Sequence, residues 1–161
     1  MKTLLLCFFL LIASVPAIAE TLTGKVVGVH DGDTLTLLND SKTQTKIRLA
    51  EIDAPELHPP YGSRAKQELS GLAFGRPAAV QVQDIDRYGR TIGRVTVDGV
   101  DVNAEMVTRG AAWVYRKYAK DQSLFIFEKQ ARDAKVGLWA LPEADRMPPW
   151  EWRKMKKTRT K

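Results

Sequence analysis

The sequence predicts an α+β, β-rich fold, a five-stranded Greek-key barrel with about three helices. Three observations point to it. Strand-like and helix-like runs follow one another as strand-strand-strand-helix-strand-strand-helix. The chain has 161 residues and is basic, with a net charge of +6. Its turn residues fall between the runs, with no internal repeat and no low-complexity linker. A short closed barrel of the oligonucleotide/oligosaccharide-binding (OB) type accommodates this order, although other small α+β folds share it.

Each element has its own local reason. Met1-Lys-Thr3 is a short positive start, Leu4 to Val15 is an apolar run too short to span a bilayer, and Ala17-Ile-Ala19 is an A-x-A cleavage pattern. Residues 1–19 are therefore expected to be a signal peptide, with Glu20 opening the mature chain. Residues 20–141 are expected to form the OB-type domain, and residues 142–161 a Pro/Trp segment with a basic C-terminal tail. Gly24 to His30 is the first strand. Thr34 to Leu38 alternates with Leu35 and Leu37 on one face. Thr43 to Leu49 sets Ile47 and Leu49 against Gln44, Lys46 and Arg48. Gly32 fits the first turn and Asn39-Asp-Ser-Lys42 the second. Gly62 to Phe74 reads as a helix with Ala65, Leu69, Leu72 and Ala73 on one face, and Gly75 is placed to end it. Ala79 to Val82 and Arg90 to Val97 are two further strands, and Asp98-Gly99 is a hairpin signal. Asn103 is expected to cap a short helix closed by Gly110. Asp121 or Ser123 should cap the last one, where Leu124, Phe127, Ala131 and Ala134 recur before Gly137. Pro142 to Pro149 is expected to be irregular.

Charge and cysteine usage narrow the function classes. The single cysteine, Cys7, lies in the leader, so the mature chain is expected to hold no disulfide framework. Taking Lys2 from the 25 basic residues leaves 24 against 19 acids, a net of +5. Much of the excess sits at Arg153, Lys154, Lys156, Lys157, Arg159 and Lys161. These tail positions either lend long-range attraction to a polyanion or solubilise the chain. Export gives a secreted or periplasmic protein, with no stable membrane association after cleavage and a monomeric state as the expectation.

The residues that carry chemistry cluster in two stretches. Asp31-Gly-Asp-Thr34 and Arg48-Leu-Ala-Glu-Ile-Asp-Ala-Pro-Glu56 bring Asp33, Asp53, Glu56 and Arg48 together. Carboxylates are hard donors suited to a divalent cation. With no histidine or cysteine among them, zinc is disfavoured. Arg48 is a permanent planar cation suited to phosphate. Alone, Asp31-Gly-Asp-Thr34 reads as a turn and Arg48 as a solvated face residue. The meander changes that, because Asp53 follows the third strand and lies near the turn between the first two. Glu56 is either a turn acid or a base acting on water. Asp86-Arg-Tyr-Gly-Arg90 adds a second guanidinium at a strand start, and two arginines can neutralise a pentacovalent phosphorane-like transition state.

These motifs, with Tyr61-Gly62 and Val102-Asn103 through Gly110, run in the order and near the spacing of the thermonuclease family. From Gly24 to Trp139 the chain resembles a staphylococcal-nuclease-like domain. The resemblance implies an OB-type barrel and a calcium-dependent nuclease that cleaves DNA or RNA at the 5′-oxygen side, leaving 3′-phosphate ends. It implies that Asp33, Asp53 and the backbone carbonyl of Ala54 hold calcium, with Asp31 behind them. Glu56 is then the general base, Arg48 and Arg90 bind the phosphate, and Arg87 and Tyr88 contact the substrate. Two departures stand out. Ala54 replaces the family's usual threonine, and His58-Pro-Pro60 is shorter than the usual basic loop. A second pocket tyrosine, at Tyr115 or Tyr118, cannot be placed.

His58 and His30 read as loop and strand-end neighbours rather than as participants. Trp113 and Trp139 read as core. Pro148-Pro-Trp150-Glu-Trp152 either packs back on the barrel or offers a stacking edge. A catalytically inactive nucleic-acid-binding module on the same barrel is the alternative, but such a module has no use for acids that repel phosphate. A polyanion- or sugar-binding surface protein accounts for the charge and leaves the acids unexplained.

Overall fold

The computed structural model describes residues 20–159. The leader expected at residues 1–19 lies outside the described residues, as do Thr160 and Lys161. In chain order the elements are β1 (Thr21–Val29), β2 (Thr34–Leu38), β3 (Gln44–Leu49), β4 (Ile52–Asp53), α1 (Gly62–Ala73), β5 (Pro77–Ile85), β6 (Thr91–Val97), β7 (Val100–Asp101), α2 (Val102–Thr108), β8 (Trp113–Val114), α3 (Gln122–Asp133) and α4 (Pro149–Arg159). No helix among the described residues is long and apolar enough to cross a membrane.

Five strands close into a barrel. β3, β2, β1, β5 and β6 are neighbours in that order, all antiparallel. β3 and β6 then join in parallel, Ile47 opposite Thr91 and Leu49 opposite Gly93, and the sheet has no free main edge. Register shifts between Val26 and Gly28 in β1, and between Val82 and Asp84 in β5, supply the bends that closure requires. This is the expected OB-type α+β architecture, with one helix more than expected.

Alternation fills the barrel. Val26, Leu35, Leu37, Ile47, Leu49, Val80, Val95 and Val97 are buried in one cluster, which continues into Ala65, Leu69 and Ala73 of α1, Met106 and Val107 of α2 and Leu124 of α3. Burying such side chains stabilises by about 1.5–3 kcal/mol for each large aliphatic one. The Asp98-Gly99 hairpin is observed, with φ of 49° and 79° at its two central residues. Asp121 caps α3 by accepting the Ser123 N–H.

Two local expectations are corrected. Asn103 does not cap α2. Asp101 does, through the Ala104 N–H, because it is the last extended residue before the turn. Asn103 is buried instead, accepting the Val95 N–H and donating to the carbonyls of Ala50 and Gly93. That side chain ties β6 to the chain just beyond β3. The second correction concerns Pro142 to Pro149, expected to be irregular: Glu143–Asp145 forms a short 3-10 turn, and Pro149 begins α4. Proline at the first helical position loses no hydrogen bond, so the Pro148-Pro149 pair starts the helix rather than continuing irregular chain.

Candidate active site

The meander brings its two acid-bearing turns together. Thr34 pairs with Arg48 in the β2–β3 ladder, and the Leu49 N–H donates to the Asp33 carbonyl at 2.8 Å. Asp31 Oδ1 accepts the Asp33 N–H at 3.0 Å, fixing the turn. Asp33 Oδ2 then accepts the Ala54 N–H at 2.7 Å. Gly32 permits this approach. A Cβ there would stand 2.6 Å from the Ala54 Cβ and 2.7 Å from the Ala65 Cβ. The glycine is needed for space rather than for a left-handed turn, and it presses the acid-bearing turn onto β4 and α1.

Arg48 is far from a solvated strand residue. Its Nη1 donates to the carbonyls of Leu49 and Ile52, each at 2.9 Å, and its Nη2 donates to Asp53 Oδ1 at 3.0 Å. Its Nε lies 3.2 Å from Asp33 Oδ1. One guanidinium thus holds the chain reversal between β3 and β4 and bridges both buried acids. Asp53 is fully buried and Asp33 nearly so. Burial pushes the Asp33 carboxyl up to about 7, Arg48 pulls the other way, and the negative neighbours Asp31 and Asp53 add to the rise.

Glu56 stands on the loop after β4 with its side chain 41% exposed. Gly62 sets its backbone in place, since a Cβ at that position would overlap the Glu56 carbonyl oxygen. Tyr61, just before it, adopts the left-handed conformation with φ of 75° at the start of α1.

Arg90, Arg87 and Tyr88 form a second group on the β5–β6 hairpin. Asp86 organises it. Its Oδ1 accepts the backbone N–H groups of Tyr88 and Arg90, and its Oδ2 accepts Arg90 Nε at 2.7 Å. Burial opposes the Asp86 charge, but these hydrogen bonds outweigh it and hold the carboxyl below its ordinary value. Arg87 donates to the Tyr88 hydroxyl, and the Arg87 and Arg90 guanidiniums lie 4.8 and 5.7 Å from the Tyr88 ring centroid. Tyr88 is 69% exposed. The parallel register, with Ile92 opposite Arg48, sets Arg90 two residues from the partner of Arg48, roughly 7 Å along the strand. Arg90 thus stands level with Lys46, on the side of Arg48 away from Leu49 and Asp33.

One site residue was not anticipated. Arg153, expected only to lend distant charge, reaches the acids from α4. Its Nη2 donates to Asp53 Oδ2 at 2.6 Å, and its Nη1 donates to Asp53 Oδ1 at 3.1 Å and to Glu56 Oε1 at 3.0 Å. Burial opposes the Arg153 charge, yet the bonds to Asp53 and Glu56 raise its affinity for the proton. Trp150, one turn earlier, anchors the helix. Its ring lies parallel to Tyr115, centroids 5.5 Å apart, and meets Trp113 edge-on at 5.9 Å. Trp113 and Trp139 pack at 4.4 Å in the core as expected, with Arg132 over both. The Pro/Trp segment thus packs back on the barrel. Helical spacing of Trp150 and Arg153 was the available signal.

His30 Nε2 lies 2.8 Å from the Thr36 hydroxyl, a strand-end neighbour as expected. For a cation, the donors at hand are the hard oxygens of Asp33 and Asp53, and two guanidiniums, Arg48 and Arg153, already lie on Asp53. The donor set therefore suits a hard ion. Among the described residues no group of three or more His, Cys, Asp or Glu side chains gathers to hold a metal. Two carboxylates would need backbone carbonyls and water to complete a shell.

Paired carboxylates and arginines at the mouth of a closed OB-type barrel define a phosphodiester hydrolase of the nuclease class. The staphylococcal nuclease homologue family model matches residues 46–141, and the chain belongs to this family. It is similar to a micrococcal nuclease of Shigella flexneri, 42% identical over 93% of this chain and 90% of that protein. It is also similar to Protein ParB of Escherichia coli, 43% identical over 89% and 85% of the two chains. An uncharacterized endonuclease of Escherichia coli is 43% identical over 91% and 95%.

Proposed function

We propose that the chain is an exported, calcium-dependent nuclease that hydrolyses DNA or RNA at the 5′-oxygen side and leaves 3′-phosphate ends. The observation that carries this reading is the convergence of Asp33 from the β1–β2 turn, Arg48 from β3 and Asp53 from β4, with Glu56 joined to Asp53 through Arg153. The relatives named as nucleases support the same substrate class.

Asp33, Asp53 and the Ala54 carbonyl are the groups that would hold calcium. Bound there, the ion would neutralise phosphate charge and polarise water. The chain's own residues supply the rest. Glu56, exposed on one side, takes a proton from the attacking water. The water oxygen bonds to phosphorus, the bond from phosphorus to the 5′ oxygen breaks, and the departing oxygen takes up a proton from solvent, to which Glu56 later returns its own. Arg48 and Arg90 stabilise the charge that builds on the phosphate oxygens, each aimed by carboxylates already bound to it. Tyr88 and Arg87 offer a ring and a cation to the adjoining nucleotide.

Incubating the protein with single- and double-stranded DNA and RNA, in calcium or in chelator, tests the reading. Mapping the product ends tests the bond cleaved. Phosphate on the 5′ end, or cleavage that ignores chelator, would contradict it. Sequencing the N-terminus of the protein recovered outside the cytoplasm tests export, with Glu20 as the expected first residue.

A further inference from the structure

Arg153 covers the oxygens that the proposed chemistry needs. Asp53 Oδ1 accepts from both Arg48 and Arg153, and Asp53 Oδ2 accepts from Arg153 at 2.6 Å. Glu56, the most exposed of these acids, accepts from the same guanidinium. The contact comes from a separate helix a hundred residues further along the chain. In α4, beyond Trp150 and the half-buried Trp152 and Arg153, residues 154–158 are exposed. Pro149 is buried at its start, and Trp150 contacts both Tyr115 and Trp113.

We propose that Arg153 is the internal cation of this site. It neutralises Asp53 and Glu56 while no divalent ion is bound, and an ion can take Asp53 only by displacing it. The proposal rests on the cation-binding reading given above. The physical argument is charge and space. The buried pair Asp33 and Asp53 already faces Arg48. Arg153 is the second guanidinium on Asp53, and a dication added there would bring three like charges within a few ångströms in a shielded pocket, where repulsion is far stronger than in water. Arg153 is the one that leaves, because Arg48 is also fixed by the carbonyls of Leu49 and Ile52. Displacement also frees Glu56, so ion binding and exposure of the base become one event. The Trp150 stack on Tyr115 lies one turn away and keeps the released helix tethered.

Calcium titration calorimetry on the full chain, Arg153→Gln and Lys154→Gln tests this without an activity assay. If Arg153 occupies the site nine parts in ten, removing it tightens calcium binding by about tenfold. Lys154, an exposed neighbour on α4, should change it less than about twofold. Amide hydrogen exchange adds a second readout. Calcium should speed exchange across Trp152 to Thr158 in the native chain. An Arg153→Gln variant that keeps its melting temperature and binds calcium no tighter than the native chain would overturn the proposal. So would an equal gain in Lys154→Gln, which would trace the effect to bulk charge. If neither the native chain nor Arg153→Gln binds calcium, the calcium reading itself fails and this inference falls with it.

Discussion

Asp33 Oδ2 accepts the Ala54 N–H at 2.7 Å, across twenty-one residues of chain. That bond fastens the turn between β1 and β2 to the end of β4. It gives Asp33 and Asp53 a common frame that neither strand provides alone. Gly32 makes it possible, because any side chain there would push Ala54 away.

Gly32→Ala is therefore expected to destabilise the fold by about 1–3 kcal/mol, the usual cost of overpacking. It should lower activity further by parting the two acids. Urea denaturation at neutral pH and turnover on a duplex substrate measure both. A variant of native stability and native turnover would show that the close approach is dispensable.

Glu56→Gln should cut turnover by roughly 100- to 10,000-fold, the range typical of general-base loss. The amide keeps the size of the side chain but cannot take the proton, so substrate affinity should change little. A fall in turnover of less than about threefold would make Glu56 a structural residue of the loop.

Asp33 gives a pH signature with a defined sign. Its folded pKa is about 7, above the ordinary 3.8. Between these values the folded chain holds a proton that the unfolded chain has released. The group's stabilising contribution is whole below pH 3.8 and is lost as pH rises towards 7. In chelator, the stability of the native chain relative to Asp33→Asn should fall across this window. Chemical denaturation at several pH values reads that difference, and a flat difference would contradict the burial argument.

Truncation after Trp152 removes Arg153 and the basic residues beyond it but leaves the Trp150 seat. For every phosphate that the tail no longer neutralises, the salt dependence of log affinity should flatten by about 0.9 on duplex DNA. A higher KM at low salt, with an unchanged saturated rate, is the expected result. Activity abolished at every ionic strength, with a lower melting temperature, would make α4 part of the domain's structural support.

Much of the fold was legible from the sequence, and the failures have physical causes. Alternation in Thr34–Leu38 and Thr43–Leu49 marked the meander, because period-two patterning survives wherever one face is buried. Asp33, Asp53, Arg48 and Glu56 could be brought together because the meander leaves them little choice of place. Arg48 could not be seen as the hub of the chain reversal, since its partners include backbone carbonyls and an acid beyond its own strand. Asn103 was misread because asparagine is equally at home in a cap or bridging buried backbone groups, and burial decides between them. Arg153 was hidden by its company. Amid lysines and arginines it looked like bulk charge, and only the anchoring of Trp150 on Tyr115 aims it at Asp53.

The acids at the barrel mouth are assigned to a calcium-dependent phosphodiester cleavage. Cleavage of a labelled duplex by the purified protein, in calcium and then in excess chelator, decides whether they serve it. Rapid cleavage to 3′-phosphate ends in calcium, poor substitution by magnesium, and loss of activity on chelation are the expected results. Full activity in chelator would contradict the assignment.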